Sequence, residues 1–229
     1  ELARGGFLNR GVDVVAGVRE VLPGYGSFFT ADIKTRLLPS PLSLRHGIGM
    51  FWRGAPLTVE IVRLPEEPEP IMGFIQRRYH VQVMEFEQGG VPWTLINVHL
   101  SAFDEGANTR LLQLLAVIDL AKRHYESGRA VAVGGDWNMR LTPTDFASTS
   151  DDSALFWIHD FPKHELPDGW QIAVDPGVPT VRTNERPYAR DENYRTIIDG
   201  LLVSPNVEVV SAAGLDLDFQ ITDHQPVRY

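Results

Sequence analysis

Four short segments carry side chains whose types and spacing can do chemistry on a phosphate ester. Asn97-Val98-His99 places an amide and an imidazole two residues apart. In an extended strand both point the same way. An imidazole there can protonate a leaving oxygen or hold a phosphoryl oxygen. Gly134-Gly135-Asp136-Trp137-Asn138 repeats the spacing with a carboxylate and an amide. Asp136 could orient or deprotonate a water, and Asn138 could hold that water or a phosphoryl oxygen. Asp199 stands alone in the apolar run Ile197 to Val203. A buried carboxylate needs a partner, and a histidine whose tautomer it fixes is the natural one. Thr222-Asp223-His224-Gln225 sets an acid beside an imidazole; strand neighbours face opposite ways, so Asp223 could face a metal and His224 the phosphate. Each segment alone also reads as ordinary structure: a hydrogen-bonded histidine, an Asp/Asn turn, a strand-end cap or a polar loop.

These residues need elements to hold them. Strands are expected over Val12 to Val21, Gly47 to Trp52, Thr58 to Leu64, Val81 to Phe86, Trp93 to Leu100, Ala130 to Val133, Thr196 to Val203 and Ser204 to Val210. In Trp93 to Leu100, Ile96, Val98 and Leu100 share one face, and Leu95, Asn97 and His99 the other. A helix is expected from Ala107 to about Glu126, with Leu111, Leu114, Leu115 and Ile118 on one face and Ser127-Gly128 as its stop. Pro65 to Pro70 reads as an extended surface loop, and Thr142 to Arg195 as long loops with short helices. Strands outnumber helices, which points to stacked sheets covered by helices.

The chain has 229 residues, 43% hydrophobic and 22% charged, which suits one α/β domain over residues 1–229. It contains no cysteine, so disulfides and thiolate metal ligands are excluded and a metal site must use oxygen or imidazole donors. Oxygen donors favour Mg, Mn or Ca. The net charge of −9 and pI of about 5.2 count mildly against tight binding to long nucleic acid. No apolar run reaches the roughly 20 residues that cross a bilayer, so a monomeric protein, cytoplasmic or secreted, is expected without a membrane span.

Taken in order, N-x-H, helix, strand-GGDWN, the IDG strand and TDHQPV resemble the endonuclease/exonuclease/phosphatase superfamily. Arg110 and Gln113 resemble its helical R-x-x-Q pattern. The resemblance runs from about Val12 to the C-terminus. It implies a deoxyribonuclease-like four-layer α/β/β/α sandwich and a divalent-metal-dependent phosphoesterase using Mg2+, Mn2+ or Ca2+. Carried over, His224 is the catalytic histidine oriented by Asp199, and Asp136 and Asn138 position water and phosphate. His99 stabilises the phosphoryl group or protonates the leaving oxygen, and Asp223 lies at the metal side. Two departures stand out. No first strand with its metal-side Asn precedes Gly11, so the sandwich lacks that strand or carries it upstream of residue 1. The metal motif is approximated by Gly17-Val18-Arg19-Glu20, which makes Glu20 the expected metal ligand.

The substrate is open among nucleic acid, a small phosphate ester and a lipid headgroup. Arg182, Arg186, Arg190 and Arg195, interleaved with Tyr188 and Tyr194, read as a phosphate- and base-binding loop, with Asn97, Arg190, Tyr194 and Arg195 as substrate contacts. Glu185, Asp191 and Glu192 dilute that cluster, so a solvated loop reads equally well. Phe156-Trp157-Ile158 reads as core, or as the apolar loop of a lipid phosphodiesterase. A noncatalytic phosphate-binding protein is the remaining alternative.

Overall fold

A computed structural model describes residues 2–5, 11–34, 43–68, 77–102 and 106–229. The larger sheet has six strands: β4 (Thr58–Arg63), β5 (His80–Gln88), β6 (Val91–His99), β7 (Ala130–Asp136), β8 (Gln171–Ala173) and β11 (Asp199–Val203). Their spatial order is β4-β5-β6-β7-β11-β8, antiparallel except for the β6–β7 pair. The second sheet holds β1 (Leu2–Arg4), β2 (Gly26–Lys34) and β3 (Arg45–Trp52) in the order β1-β3-β2. Two short ribbons, β9 (Val181–Arg182) with β10 (Arg195–Thr196) and β12 (Ala213–Gly214) with β13 (Val227–Arg228), complete the strands.

The sheets meet face to face. Gln82 on β5, fully buried, donates from Nε2 to Phe28 O, Thr30 Oγ1 and Ile48 O at 3.0–3.2 Å, and Asn97 donates to Gly49 O and Gln82 Oε1. The even-numbered positions of β2 up to Thr30 therefore face inward. Ser27 faces outward and receives Arg19 Nε from α1 (Val14–Val21) at 2.8 Å. On the opposite face of the large sheet lies α2 (Asn108–Glu126), whose Leu114, Val117, Ile118 and Ala121 pack on Val81, Val83, Ile96, Val98, Val131 and Val133. The layers run α1, small sheet, large sheet, α2, the four-layer α/β/β/α order.

Several expectations change. Val12 to Val21 is a helix, not a strand: Asp13 caps it by accepting Ala16 N–H at 2.9 Å, and the cap outweighs the β preference of its valines. On α2, Leu111 and Leu115 are 38% exposed while Arg110 and Gln113 are fully buried. Their polar ends are bonded to backbone: Arg110 Nη1 and Nη2 donate to the carbonyls of Ala102, Asn138 and Trp157, and Gln113 joins Ser101 N to Pro65 O. Thr196 to Val203 splits in two because the Ile197 and Ile198 carbonyls accept from Leu141 and Trp137 instead of a strand. Ser204 to Val210 forms no strand; Ser204 Oγ takes Val131 N–H, a turn follows through Pro205, and Val210 is left 93% exposed. The strands Leu2–Arg4 and Gly26–Lys34 lie where no strand is expected; Leu2–Arg4 precedes Gly11 and carries no Asn. Thr142 to Arg195 is largely loop, with 3-10 turns at Asp152–Leu155 and Lys163–Glu165. Part of the Pro65 to Pro70 loop lies outside the described residues.

Candidate active site

Strand register brings the site together. His99 at the end of β6 pairs with Asp136 on β7, and Asp136 pairs with Asp199 on β11. Partners in adjacent strands point to one face, so imidazole, carboxylate and carboxylate form a row. His224 arrives from the C-terminal segment, held by a bridge to Val181. Gly135 permits the close approach of β6 and β7: at φ 141° its missing Cβ would stand 2.1 Å from Val98 O.

His224 Nδ1 lies 3.0 Å from Asp199 Oδ2, and its Nε2 lies 3.9 Å from Asp136 Oδ2. His99 Nε2 approaches the same Asp136 oxygen at 3.7 Å. The other Asp136 oxygen accepts Asn138 N–H at 2.8 Å. Burial works against a charged His224, yet the Asp199 hydrogen bond and charge, followed by the charges of Asp136 and Asp223, push its pKa up to about 10. Burial and the Asp199 charge push the Asp136 carboxyl up, against the pull of the two imidazoles. Two groups shifted in one cleft are characteristic of proton-handling sites. A cleft of about 420 Å³ opens over these groups, lined by Asn97, His99, Asp136, Asp199, Asp223 and His224 and walled by Leu2, Val18, Ile48 and Phe51. Asp223 and His224 also border a second cleft of about 310 Å³ with Phe156, Trp157 and Arg182.

The remaining sequence candidates sit elsewhere. Asn138 holds Asp136 with its backbone, but its amide is bound to Leu100 O at 2.9 Å and the residue is buried. Glu20 is exposed on α1, where the helix presents Val18 rather than Glu20 to the cleft. Acids answer the arginines of this loop: Arg190 binds Asp216 and Asp218 of a later segment, Arg186 lies near Glu185 and Glu192, and Arg195 is buried against Asp191. Arg190, Tyr194 and Arg195 line neither cleft.

Sequence reading also missed a buried chain behind His99. Asp32 stands two residues beyond the inward-facing Thr30, at a bulge in β2 between Ala31 and Ile33, and points inward as Thr30 does. Its carboxylate accepts Arg77 Nε at 2.7 Å and faces His46 Nδ1 at 3.1 Å. Arg77 Nη2 lies 3.1 Å from His99 Nδ1. A guanidinium only donates, so His99 Nδ1 accepts and its proton sits on Nε2, toward Asp136. These residues lie far apart in sequence and in no motif, so no local signal marks them.

Asp136, Asp199 and His224 each offer a ligand atom within 4.8 Å of the others, the set among the described residues that could share a cation. Two carboxylates and an imidazole are donors that a divalent cation can take.

No protein-family model and no curated protein sequence matches the chain. Solved structures do. Truncated TDP2 of Caenorhabditis elegans superimposes with a TM-score of 0.61 at 14% identity, over 93% of this chain and 78% of that one. Of a longer form of the worm protein the chain spans 59%. An endonuclease/exonuclease/phosphatase from Bacteroides vulgatus gives a TM-score of 0.55 at 18% identity, over 93% and 78%. ANGEL2, a 2',3'-cyclic phosphatase in complex with adenosine-2',3'-vanadate, gives 0.56 at 11%, over 98% and 79%. The chain therefore has the fold of the endonuclease/exonuclease/phosphatase superfamily.

Proposed function

We propose that the chain is a divalent-metal-dependent phosphodiesterase that cleaves a P–O bond with an activated water. The observation that carries this is the convergence of His99, Asp136, Asp199 and His224 on one cleft from four separate segments. In this reading the Asp136 and Asp199 oxygens hold the cation, with Asp223 beside them, because Mg2+ and Mn2+ prefer oxygen to nitrogen. The cation, when bound, neutralises charge on the phosphoryl oxygens and acidifies water. Asp136 orients the attacking water and draws off its proton. His99 donates Nε2–H to a phosphoryl oxygen. His224, kept protonated by Asp199, protonates the leaving oxygen. A DNA-product complex of Danio rerio TDP2, of the same fold, and an adenosine-2',3'-vanadate complex of ANGEL2 support phosphodiester substrates of nucleotide type.

The test is hydrolysis of bis(p-nitrophenyl) phosphate and of an oligonucleotide. Activity should vanish in chelator, return with Mg2+ or Mn2+, and fall by about 10²-fold or more in His224→Ala. Activity indifferent to chelator, or to His224→Ala, would overturn the reading.

A further inference from the structure

The outward face of the small sheet carries a row of like charges. Arg4 on β1 is the register partner of Arg45 on β3, and Arg45 is the partner of Lys34 on β2. The three cations therefore stand side by side on neighbouring strands about 4.8 Å apart. Arg19 of α1 joins them around a depression of about 250 Å³, with Ser27, Phe29 and Ala31 as its floor. Like charges directly opposite one another destabilise a sheet. Among the described residues, only Arg4 of the four has an acid, Asp13, at 2.8 Å. Arg19 reaches a hydroxyl, and Lys34 and Arg45 are exposed and pair with no acid among the described residues. Among the described residues, four cations against one acid leave a local charge of about +3 on a chain whose net charge is −9. The arginines at 186–195, by contrast, are answered by acids: Glu192 and Asp191 from the same loop, and Asp216 and Asp218 from a later segment.

Position connects this row to the cleft. Leu2 lines the active-site cleft and Arg4 the depression, two residues along one strand, on one face and roughly 7 Å apart. On α1 the consecutive residues Val18 and Arg19 make the same transition. An anion seated on the row thus belongs to a molecule long enough to cross the β1/α1 rim from the reacting phosphate.

We propose that Arg4, Arg19, Lys34 and Arg45 form an anion subsite that holds a further phosphate of a single-stranded nucleic-acid substrate, upstream or downstream of the one being cleaved. This rests on the phosphodiesterase reading and extends it: a small phosphate ester fills the cleft alone, whereas a strand uses both. The row's repulsion is relieved when an anion sits on it.

The variant Lys34→Gln/Arg45→Gln tests it, since both side chains are exposed and neither belongs to the catalytic cluster. Binding of a fluorescein-labelled twelve-residue oligothymidylate is followed by anisotropy, with Ca2+ present, across a salt series. The variant should bind about tenfold more weakly at low salt. The slope of log K against log salt should become shallower by about 1.4, two phosphate contacts at ~0.7 each. Hydrolysis of bis(p-nitrophenyl) phosphate and the thermal midpoint should not fall. Unchanged affinity and slope would overturn the subsite, as would cosedimentation with anionic phospholipid vesicles in place of oligonucleotide binding. An equal loss on both substrates would mark a general defect and also overturn it. Binding is read without turnover, so absence of hydrolysis by the parent would sink the phosphodiesterase reading while leaving the subsite measurement intact.

Discussion

Asp199→Asn isolates what the Asp199–His224 pair does. The His224 imidazole is held protonated to about pH 10 in the folded chain, against an ordinary value near 6.5 in the unfolded one. The leading upward causes are the Asp199 hydrogen bond at 3.0 Å and its charge. Replacing a charged acceptor by a neutral amide forfeits an interaction of about 1.5–3 kcal/mol, equivalent to roughly one to two pKa units. Asp136 and Asp223 remain, so His224 should still titrate above its ordinary range. A side-chain-resolved NMR titration of the histidines in chelator reads this directly. Stability follows with a definite sign. Because the folded pKa lies above the unfolded one, the stabilisation is complete below about pH 6.5 and is lost as pH rises from there to about 10. A third of the side chain is open to solvent, so screening reduces this to on the order of 2 kcal/mol. Urea midpoints should therefore decline over that window in the parent and decline less in Asp199→Asn. A parent His224 that titrates near pH 6.5, or a variant whose midpoint does not move, would refute the reasoning.

Arg77→Met removes the guanidinium that joins Asp32 to His99. Urea denaturation should show a loss of about 2–3 kcal/mol, below the ~3–5 kcal/mol of a fully unpaired buried charge because Asp32 keeps His46 and Ile33 N–H. Arg77→Lys should recover part of that stability but not the activity, because one ammonium cannot reproduce the fork that reaches both partners. Gly135→Ala should cost about 3 kcal/mol or more in the same assay, since the added methyl meets Val98 O at a φ that L residues rarely adopt.

The site was legible in the sequence wherever a polar residue interrupts an apolar strand. Asp199 among isoleucines and leucines, and His99 after Ile96 and Val98, announce themselves because burial would otherwise penalise them. The layering was legible from strands outnumbering helices. What stayed hidden depends on contacts distant in sequence. Asp32 and Arg77 are 45 positions apart and meet only when the chain folds back on itself. The arginine loop looked cationic because its partners Asp216 and Asp218 come from another segment. The cationic row escaped notice because Arg4, Lys34 and Arg45 are scattered until sheet pairing aligns them. Valine-rich α1 misled because a single capping side chain decides between helix and strand there.

The registers of β6, β7 and β11 make the sheet itself a ruler for the chemistry. His99, Asp136 and Asp199 are spaced by the interval that backbone hydrogen bonds impose, so the whole row spans about 10 Å whatever the surrounding loops do. Loops on this scaffold can lengthen, shorten or change composition, and substrate choice can drift with them, without altering the distances between the reacting groups. A slip of one residue in β7 would do the opposite: it would leave the loops untouched and turn Asp136 to the far side of the sheet.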